Sequence, residues 1–238
     1  MCPSEAVKLE PVRVVFLSVL ALLATSAPAH GAGPVICVDP GHERTPDLST
    51  EKIGPGSDTY KIKDGGGTAG EATVVLQIGK KLRKILVRRG YTVVMTRTTM
   101  EFDYGNGGNI ARARFCNRHD AALMVRIHAD GSTDRSRHGA STLYPAWHKG
   151  WTNDILPESR EAAAGMQKAF VAKTGAADLG LVRRADLTGF NWANVPAILV
   201  ETGFMTNPNE GAKLKTDRYQ WKVAHGLANG TSAFVPKP

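Results

Sequence analysis

The chain has 238 residues, 42% of them hydrophobic, and a formal net charge of +8. This length is enough for one well-buried domain of α/β type, and three cysteines exclude a disulfide-rich scaffold. The basic charge indicates an anionic partner, which is a nucleic acid, a membrane or an acidic polymer of the cell wall.

The N-terminal segment has the pattern of a secretory signal peptide. Its apolar stretch, Val14–Ala24, is too short to span a bilayer as a helix, and Ala27–Ala29 follows as a small-x-small cleavage site. We predict a signal peptide at residues 1–29, a mature domain at residues 30–238 and export to the periplasm or the cell exterior. An uncleaved membrane anchor is the alternative. Export makes nucleic acid the least expected partner, so we predict none, and no stable membrane insertion after cleavage.

The first half of the mature chain alternates apolar runs with polar segments. The run that begins at Val35 predicts a buried strand. Residues 43–70 form a polar segment rich in Gly, Pro, Asp and Lys, and a stretch of this length predicts a functional or mobile loop. Apolar residues at helical spacing predict a helix over residues 71–89, ended by Gly90. Residues 91–97 predict the next strand.

The second half continues this alternation. Predicted helices cover residues 109–119, 158–173 and 218–234, and predicted strands cover residues 122–128, 140–144 at a sheet edge, 181–184 and 197–201. A turn is predicted directly after the last strand. Strands that alternate with helices predict a single three-layer α/β/α domain with a mostly parallel central sheet.

Two cysteines remain after the predicted cleavage. Cys37 lies inside the first predicted strand and Cys116 lies in a predicted helix. The favoured interpretation is two buried thiols that behave as small hydrophobic residues. A disulfide between them is the alternative, because the exported chain can meet an oxidising compartment.

Three apolar runs each end in a residue that can bind a metal or move a proton, namely His42, His128 and Glu201. In open α/β sheets the functional residues lie just beyond the carboxyl ends of the strands. Two histidines and a glutamate at such positions predict a metal hydrolase site. A turn histidine, a core histidine and a surface carboxylate are the respective alternatives.

Five short motifs in order carry a family resemblance. They are Val38–His42, Gly70–Glu71 at a helix start, Met95–Arg97, Ile127–Asp130 and Val200–Asn207. With these motifs the chain resembles the zinc-dependent N-acetylmuramoyl-L-alanine amidases of the type 3 amidase family, over residues 34–236 and for the catalytic domain only. The resemblance implies an exported cell-wall hydrolase, or autolysin, that acts on peptidoglycan.

The resemblance also implies the site residues. One zinc ion per chain is held by His42, Glu71 and His128, and Glu201 acts on the catalytic water. Two histidines and one glutamate are a recurring ligand set of catalytic zinc, which lowers the pKa of a bound water to about 7 and polarises the scissile carbonyl. A nearby carboxylate can take the water's proton and deliver it to the departing amine. Asp39 is close enough in sequence to orient a ligand histidine through a hydrogen bond.

Glu71 has a competing interpretation. Thr68–Glu71 matches a capping box, in which the glutamate binds only backbone N–H groups at the start of a helix. The metal role is favoured because family members place a glutamate at the start of the same helix. Glu43 and Glu51 in the long polar segment are the outside candidates for the third ligand.

Two arginines need separate comment: one is a candidate substrate-binding residue, and the other departs from the family motif. Arg184 is a candidate for binding a carboxylate of the stem peptide, and a solvated surface arginine is the alternative. Arg126 stands where many family members have serine, on the same side of the strand as His128. The sequence alone provides no account of Arg126.

Three functions remain open at this point. The expected reaction is hydrolysis of the amide between the lactyl group of N-acetylmuramic acid and L-alanine, which releases stem peptides. A zinc peptidase that cuts within the stem peptide uses the same chemistry, and a peptidoglycan-binding module without catalysis is the alternative from another class. We expect a monomer whose substrate is peptidoglycan or a soluble muropeptide.

Overall fold

A six-stranded sheet forms the centre of the computed structural model, which describes residue 1, residues 33–102 and residues 108–237. The strands of this sheet are β1 (Val35–Pro40), β4 (Thr92–Met95), β5 (Leu123–Asp130), β6 (Ala140–Pro145), β7 (Asp178–Arg184) and β8 (Ala197–Phe204). Their spatial order is β4-β1-β5-β8-β6-β7. Only the β6–β8 pairing is antiparallel, so the sheet is mostly parallel, as predicted.

Helices cover both faces of this sheet. The helices are α1 (Glu71–Arg88), α2 (Asn109–Arg118), α3 (Leu156–Thr174), α4 (Thr188–Asn191), α5 (Pro208–Leu214) and α6 (Asp217–Phe234). One core cluster joins strand residues to α1, α3 and α6, and a second joins the opposite sheet face to α2 and α4. The three-layer α/β/α prediction is therefore confirmed.

The two core clusters lie on opposite faces of the sheet because successive side chains along a strand point to opposite sides. Ile36 and Val38 of β1 belong to the first core cluster, whereas Cys37 between them belongs to the second. A parallel strand covered by helices on both faces is apolar throughout, which is why this run shows no polar alternation.

The polar segment at residues 43–70 contains a β-hairpin that the sequence did not predict. Its strands are β2 (Asp47–Lys52) and β3 (Tyr60–Asp64), which pair antiparallel outside the main sheet. The hairpin is fastened by tertiary contacts, because the indole N–H groups of Trp151 and Trp192 donate to the carbonyls of Pro55 and Lys52 at 2.8 and 3.0 Å. Such contacts leave no periodic pattern in the segment itself.

Two strand predictions are also corrected. β6 lies inside the sheet between β8 and β7, so the edge strand is β7, which begins earlier than expected. β8 continues through Glu201 to Phe204, where a turn was predicted. Both errors concern pairing partners, which local patterns do not encode.

The favoured interpretation of the two cysteines is wrong. Cys37 of β1 and Cys116 of α2 form a disulfide across 79 residues of sequence, with their Cα atoms 5.6 Å apart. The bond ties the central sheet to α2 in the middle of the second core cluster.

The predicted signal peptide lies outside the described residues. Residues Ala32–Pro238 form one compact unit that contains all the elements named above. Among the described helices, none has the length and apolar character needed to cross a membrane.

Candidate metal centre

The sheet topology brings four of the predicted site residues to one place. β1 and β8 flank β5, and Glu201 of β8 lies directly opposite His128 of β5 in the parallel register. His42 follows β1 by two residues, and Glu71 is the first residue of α1. Sequence separations of up to 159 residues thus become contacts at one end of the sheet.

Three of these residues form a compact set of donor atoms. One ligand atom from each of His42, Glu71 and His128 lies within 4.8 Å of the other two. The Oε1 atom of Glu71 is 3.1 Å from His42 Nε2 and 3.2 Å from His128 Nδ1. Buried His128 Nε2 has no hydrogen-bond partner among the described residues. Two imidazoles, one of which has an unpartnered nitrogen, and one carboxylate fit a zinc ion.

Glu71 serves the helix start and the donor set together. Its Oε2 accepts a hydrogen bond from the backbone N–H of Thr68 at 2.8 Å, and Oε1 accepts one from Ala129 at 3.1 Å. The N-cap is Gly70 without a side-chain cap, so Thr68 and Glu71 do not form a full capping box. Burial alone raises the pKa of Glu71, but the adjacent His128 and His42 outweigh it and hold the pKa well below its usual range. The carboxylate is therefore ionised and available to a cation.

His42 is held by a carboxylate that the sequence did not single out. Its Nδ1 is 2.6 Å from Asp64 Oδ1, at the end of β3. Asp64 also accepts hydrogen bonds from the backbone N–H groups of Glu43 and Gly66, so its carboxylate is fixed in place. Burial lowers the pKa of His42, but its hydrogen bonds to Asp64 and Glu71 outweigh burial and raise the pKa to about 9.

Asp64→Asn is expected to weaken zinc binding about 10–100-fold, because a carboxylate behind a ligand histidine fixes the ring and raises its basicity. Zinc affinity is measured by competition with a chelating dye. Asp58→Asn, in the same hairpin but with its side chain exposed, is the matched control and should bind zinc like the unchanged chain. Equal affinities for all three proteins would contradict the role of Asp64.

Asp39 does not contact a ligand histidine, which corrects the predicted hydrogen bond. Its fully buried carboxylate accepts from Thr96 Oγ1 at 2.6 Å, from Arg112 Nη1 at 2.7 Å and from Arg126 Nε at 2.8 Å. Asp64 takes the position behind the histidine instead. The network also explains Arg126, whose buried guanidinium forms an ion pair with Asp39.

Two buried arginines hold the turn that presents His42. Arg97 donates to the carbonyls of Pro40 and Gly41 at 3.0 and 2.7 Å, and Arg112 donates to that of Pro40 at 3.0 Å. The same Arg97 reaches the carbonyl of Ala72 at 2.8 Å, next to Glu71. These bonds restrain His42, which has a positive φ of 57° that is unusual for a residue other than glycine.

Glu201 lies beside the donor set without belonging to it. Its Oε2 is buried and has no hydrogen-bond partner among the described residues. Burial raises the pKa of Glu201 well above its usual range, and the nearby charges of Glu71 and Asp130 raise it further. A carboxyl group with a raised pKa beside a candidate metal site is suited to accept and hold a proton.

The other candidates predicted from the sequence lie outside the donor set. Arg184 forms a two-point ion pair with Asp186, its Nε at 2.6 Å from Oδ1 and its Nη2 at 2.8 Å from Oδ2, and its charge acts on Glu201. Glu43 contacts Arg112, and Glu51 accepts from the backbone N–H groups at the start of α2. Neither glutamate belongs to the donor set.

The donor set opens into a cavity of about 480 Å³. His42, Glu71, His128 and Glu201 line one part of it, and Ser132 and Thr206 line another. A polar cavity of this size, with a metal set and an adjacent proton acceptor, suits the hydrolysis of an amide that enters from solvent.

Residues 36–233 match the family described as N-acetylmuramoyl-L-alanine amidase. The chain belongs to this family. This amidase family member is 30% identical over 230 residues to the N-acetylmuramoyl-L-alanine amidase Rv3717 of Mycobacterium tuberculosis, with 89% of this chain and 90% of that protein covered. It is 28% identical to the amidase LytC of Bacillus subtilis, where the match covers 85% of this chain but 36% of LytC.

Solved amidase structures share the fold. The amidase Ami1 of Mycobacterium smegmatis superposes with a TM-score of 0.75 at 26% identity, covering 86% of this chain and 97% of that one. Ami1 of Mycobacterium abscessus in its apo form gives a TM-score of 0.74 at 27% identity, covering 85% and 99%. The family resemblance seen in the five sequence motifs is thus confirmed.

Proposed function

We propose that this family member is a zinc-dependent N-acetylmuramoyl-L-alanine amidase. It hydrolyses the amide between the lactyl group of N-acetylmuramic acid and L-alanine in peptidoglycan and so releases stem peptides. One observation carries the proposal: the donor set of His42, Glu71 and His128 lies beside the buried, unpartnered carboxyl oxygen of Glu201. The relatives named as amidases support the choice of bond.

In this proposal His42, Glu71 and His128 hold one zinc ion per chain. When bound, zinc lowers the pKa of water and polarises a carbonyl oxygen. The protein's part is to keep the donors in place: Asp64 orients the ring of His42, and backbone N–H groups at Thr68 and Ala129 orient the carboxylate of Glu71.

Glu201 carries the proton in this mechanism. Its free Oε2 accepts a proton from the attacking water and later donates it to the nitrogen of the departing L-alanine, so the carboxyl group ends as it began. The raised pKa of Glu201 supports this role, because a carboxylate with a raised pKa is a stronger proton acceptor toward water.

Arg184 is proposed to bind a carboxylate of the stem peptide near the cavity, where its charge acts on Glu201. Its ion pair with Asp186 supports a positioned guanidinium, and Lys61 Nζ, 3.0 Å from Asp186 Oδ2, adds a second positive charge there.

We propose export to the periplasm or cell exterior after removal of residues 1–29, and a monomer that meets its substrate at the wall.

The test is a digest of a defined muramyl-tripeptide, with and without chelator, read by mass spectrometry. The proposal expects free N-acetylmuramic acid and an intact peptide that begins with L-alanine, in a reaction that stops when zinc is removed and resumes when it is returned. A shortened peptide would instead show a zinc peptidase. An intact muramyl-tripeptide in the presence of zinc would instead favour a binding module without catalysis.

Zinc binding is expected to strengthen as pH rises. His42 has a pKa of about 9 in the metal-free chain, so at pH 7 a proton must leave its ring before the nitrogen can bind the ion. Apparent affinity should rise roughly tenfold per pH unit below pH 9 and level off above it. Calorimetry in buffers of different ionisation enthalpy measures the proton released. No release at pH 7 would contradict the ligand role of His42.

A further inference from the structure

The second half of α1 carries a dense group of positive charges far from the metal centre. Its sequence has six Lys or Arg residues between positions 80 and 89, and the helix has no acidic residue after Glu71. At 1.5 Å per residue, positions 80–88 lie roughly 14–26 Å along the helix from Glu71. The charges therefore belong to the end of the domain opposite the cavity.

Two of these six basic side chains bind other groups of the same chain. Lys81 forms an ion pair with Asp217 at 3.0 Å, and Arg89 donates to the carbonyl of Ala228 at 2.6 Å. The side chains of the other four, Lys80, Arg83, Lys84 and Arg88, are exposed, and none forms an ion pair with a carboxylate of the described residues.

Apolar side chains lie among the four exposed cations. Val87 is 51% exposed, and Trp221 of α6 lies beside it, half-buried. Trp221, Val87 and three of the cations line a shallow groove of about 570 Å³. We call Lys80, Arg83, Lys84, Val87, Arg88 and Trp221 the far-end patch.

We propose that the far-end patch docks the protein on an anionic phospholipid surface. Cations attract such a surface, while an exposed aliphatic residue and a tryptophan between them suit the boundary between headgroups and acyl chains. A soluble polyanion has no use for the apolar residues, which is why a lipid surface is the occupant the patch fits better. Docked this way, α1 points its N-terminal end, with Glu71, away from the lipid.

The test measures binding of the purified chain to vesicles by co-sedimentation. The vesicles contain equal parts phosphatidylglycerol and phosphatidylcholine, or phosphatidylcholine alone, in 0.1 M salt. Every variant carries the same N-terminus, which is read by mass spectrometry, so differences between variants report the patch. The measurement needs no hydrolysis and is independent of the proposed amidase activity.

The chain should co-sediment with the anionic vesicles and should not co-sediment with the neutral ones. Each basic residue near an anionic surface strengthens binding roughly fivefold, so Lys84→Glu with Arg88→Glu should weaken it at least about 25-fold. The matched control, Arg160→Glu with Lys168→Glu on exposed positions of α3, makes the same change in net charge and should weaken binding much less. Thermal unfolding checks that all variants remain folded.

Val87→Ser separates a lipid surface from a soluble polymer. It keeps every charge and should weaken vesicle binding about threefold, because it removes only an apolar contact. If the Lys84→Glu, Arg88→Glu variant and the α3 control lose vesicle binding equally, the proposal is overturned and a general charge effect is indicated. Full binding by Val87→Ser, with complete displacement by inorganic polyphosphate, would overturn it in favour of a polyanion site.

Discussion

Replacing Glu201 with glutamine is expected to lower kcat/KM for a muramyl-peptide about 10²–10⁴-fold while one zinc ion per chain remains bound. Glutamine has nearly the same shape but cannot accept the water's proton. The site retains its donor atoms, because Glu201 is not a member of the set formed by His42, Glu71 and His128. Activity is followed by mass spectrometry and metal content by elemental analysis.

Glu161→Gln provides the matched control, since this exposed carboxylate on α3 makes the same chemical change away from the cavity. It should leave kcat/KM unchanged. Two results would count against Glu201 as the proton carrier: unchanged activity in Glu201→Gln, or a loss of activity accompanied by a loss of zinc. The second result would instead indicate that Glu201 helps to hold the metal.

Asp39→Asn is expected to lower the free energy of unfolding by about 3–5 kcal/mol, as is usual when one partner of a buried ion pair is removed. The carboxylate is fully buried between Arg112 and Arg126, so asparagine leaves Arg126 without its counter-charge and leaves Arg112 with only Glu43. Urea unfolding measures the difference. Asp154→Asn, on an exposed position, should change stability little.

This destabilisation should depend on pH in one direction. Burial raises the pKa of Asp39, but Arg112 and Arg126 outweigh burial and hold the pKa well below its unfolded value of 3.8. The stabilisation is therefore fully present above about pH 4 and is lost as pH falls through the folded pKa, where Asp39 becomes protonated. The unchanged chain and Asp39→Asn should differ equally at pH 5 and 7 and converge in strong acid. A difference that grows on acidification would contradict this network.

Asp39→Asn and Asp64→Asn are expected to differ in zinc binding. Asp39 supports the turn that presents His42 indirectly, through Arg112 and its contacts with the turn carbonyls. A folded fraction of Asp39→Asn is thus expected to retain zinc binding more readily than Asp64→Asn, which loses a direct contact to the histidine ring.

The amino-acid sequence by itself determined the fold class and most of the candidate site. Apolar runs that end in His42, His128 and Glu201 are local patterns, and parallel strands bring their carboxyl ends to one edge without further information. Glu71 was reached through the family motifs, because its place at a helix start also matches a capping box. In the structure Oε2 of Glu71 accepts from the backbone N–H of Thr68, while Oε1 lies 3.1 Å from His42 Nε2 and 3.2 Å from His128 Nδ1.

Only the tertiary structure decided the contacts between segments distant in sequence. The carboxylate behind His42 is Asp64 from a polar hairpin, not Asp39 three residues before it. Cys37 and Cys116 meet because α2 packs on β1, and Arg126 pairs with Asp39 because the two residues lie side by side on neighbouring strands. Periodicity and propensity report which face of an element is buried, but they do not report which side chain it meets there. For that reason most of the candidate donors were predictable and their supporting partners were not.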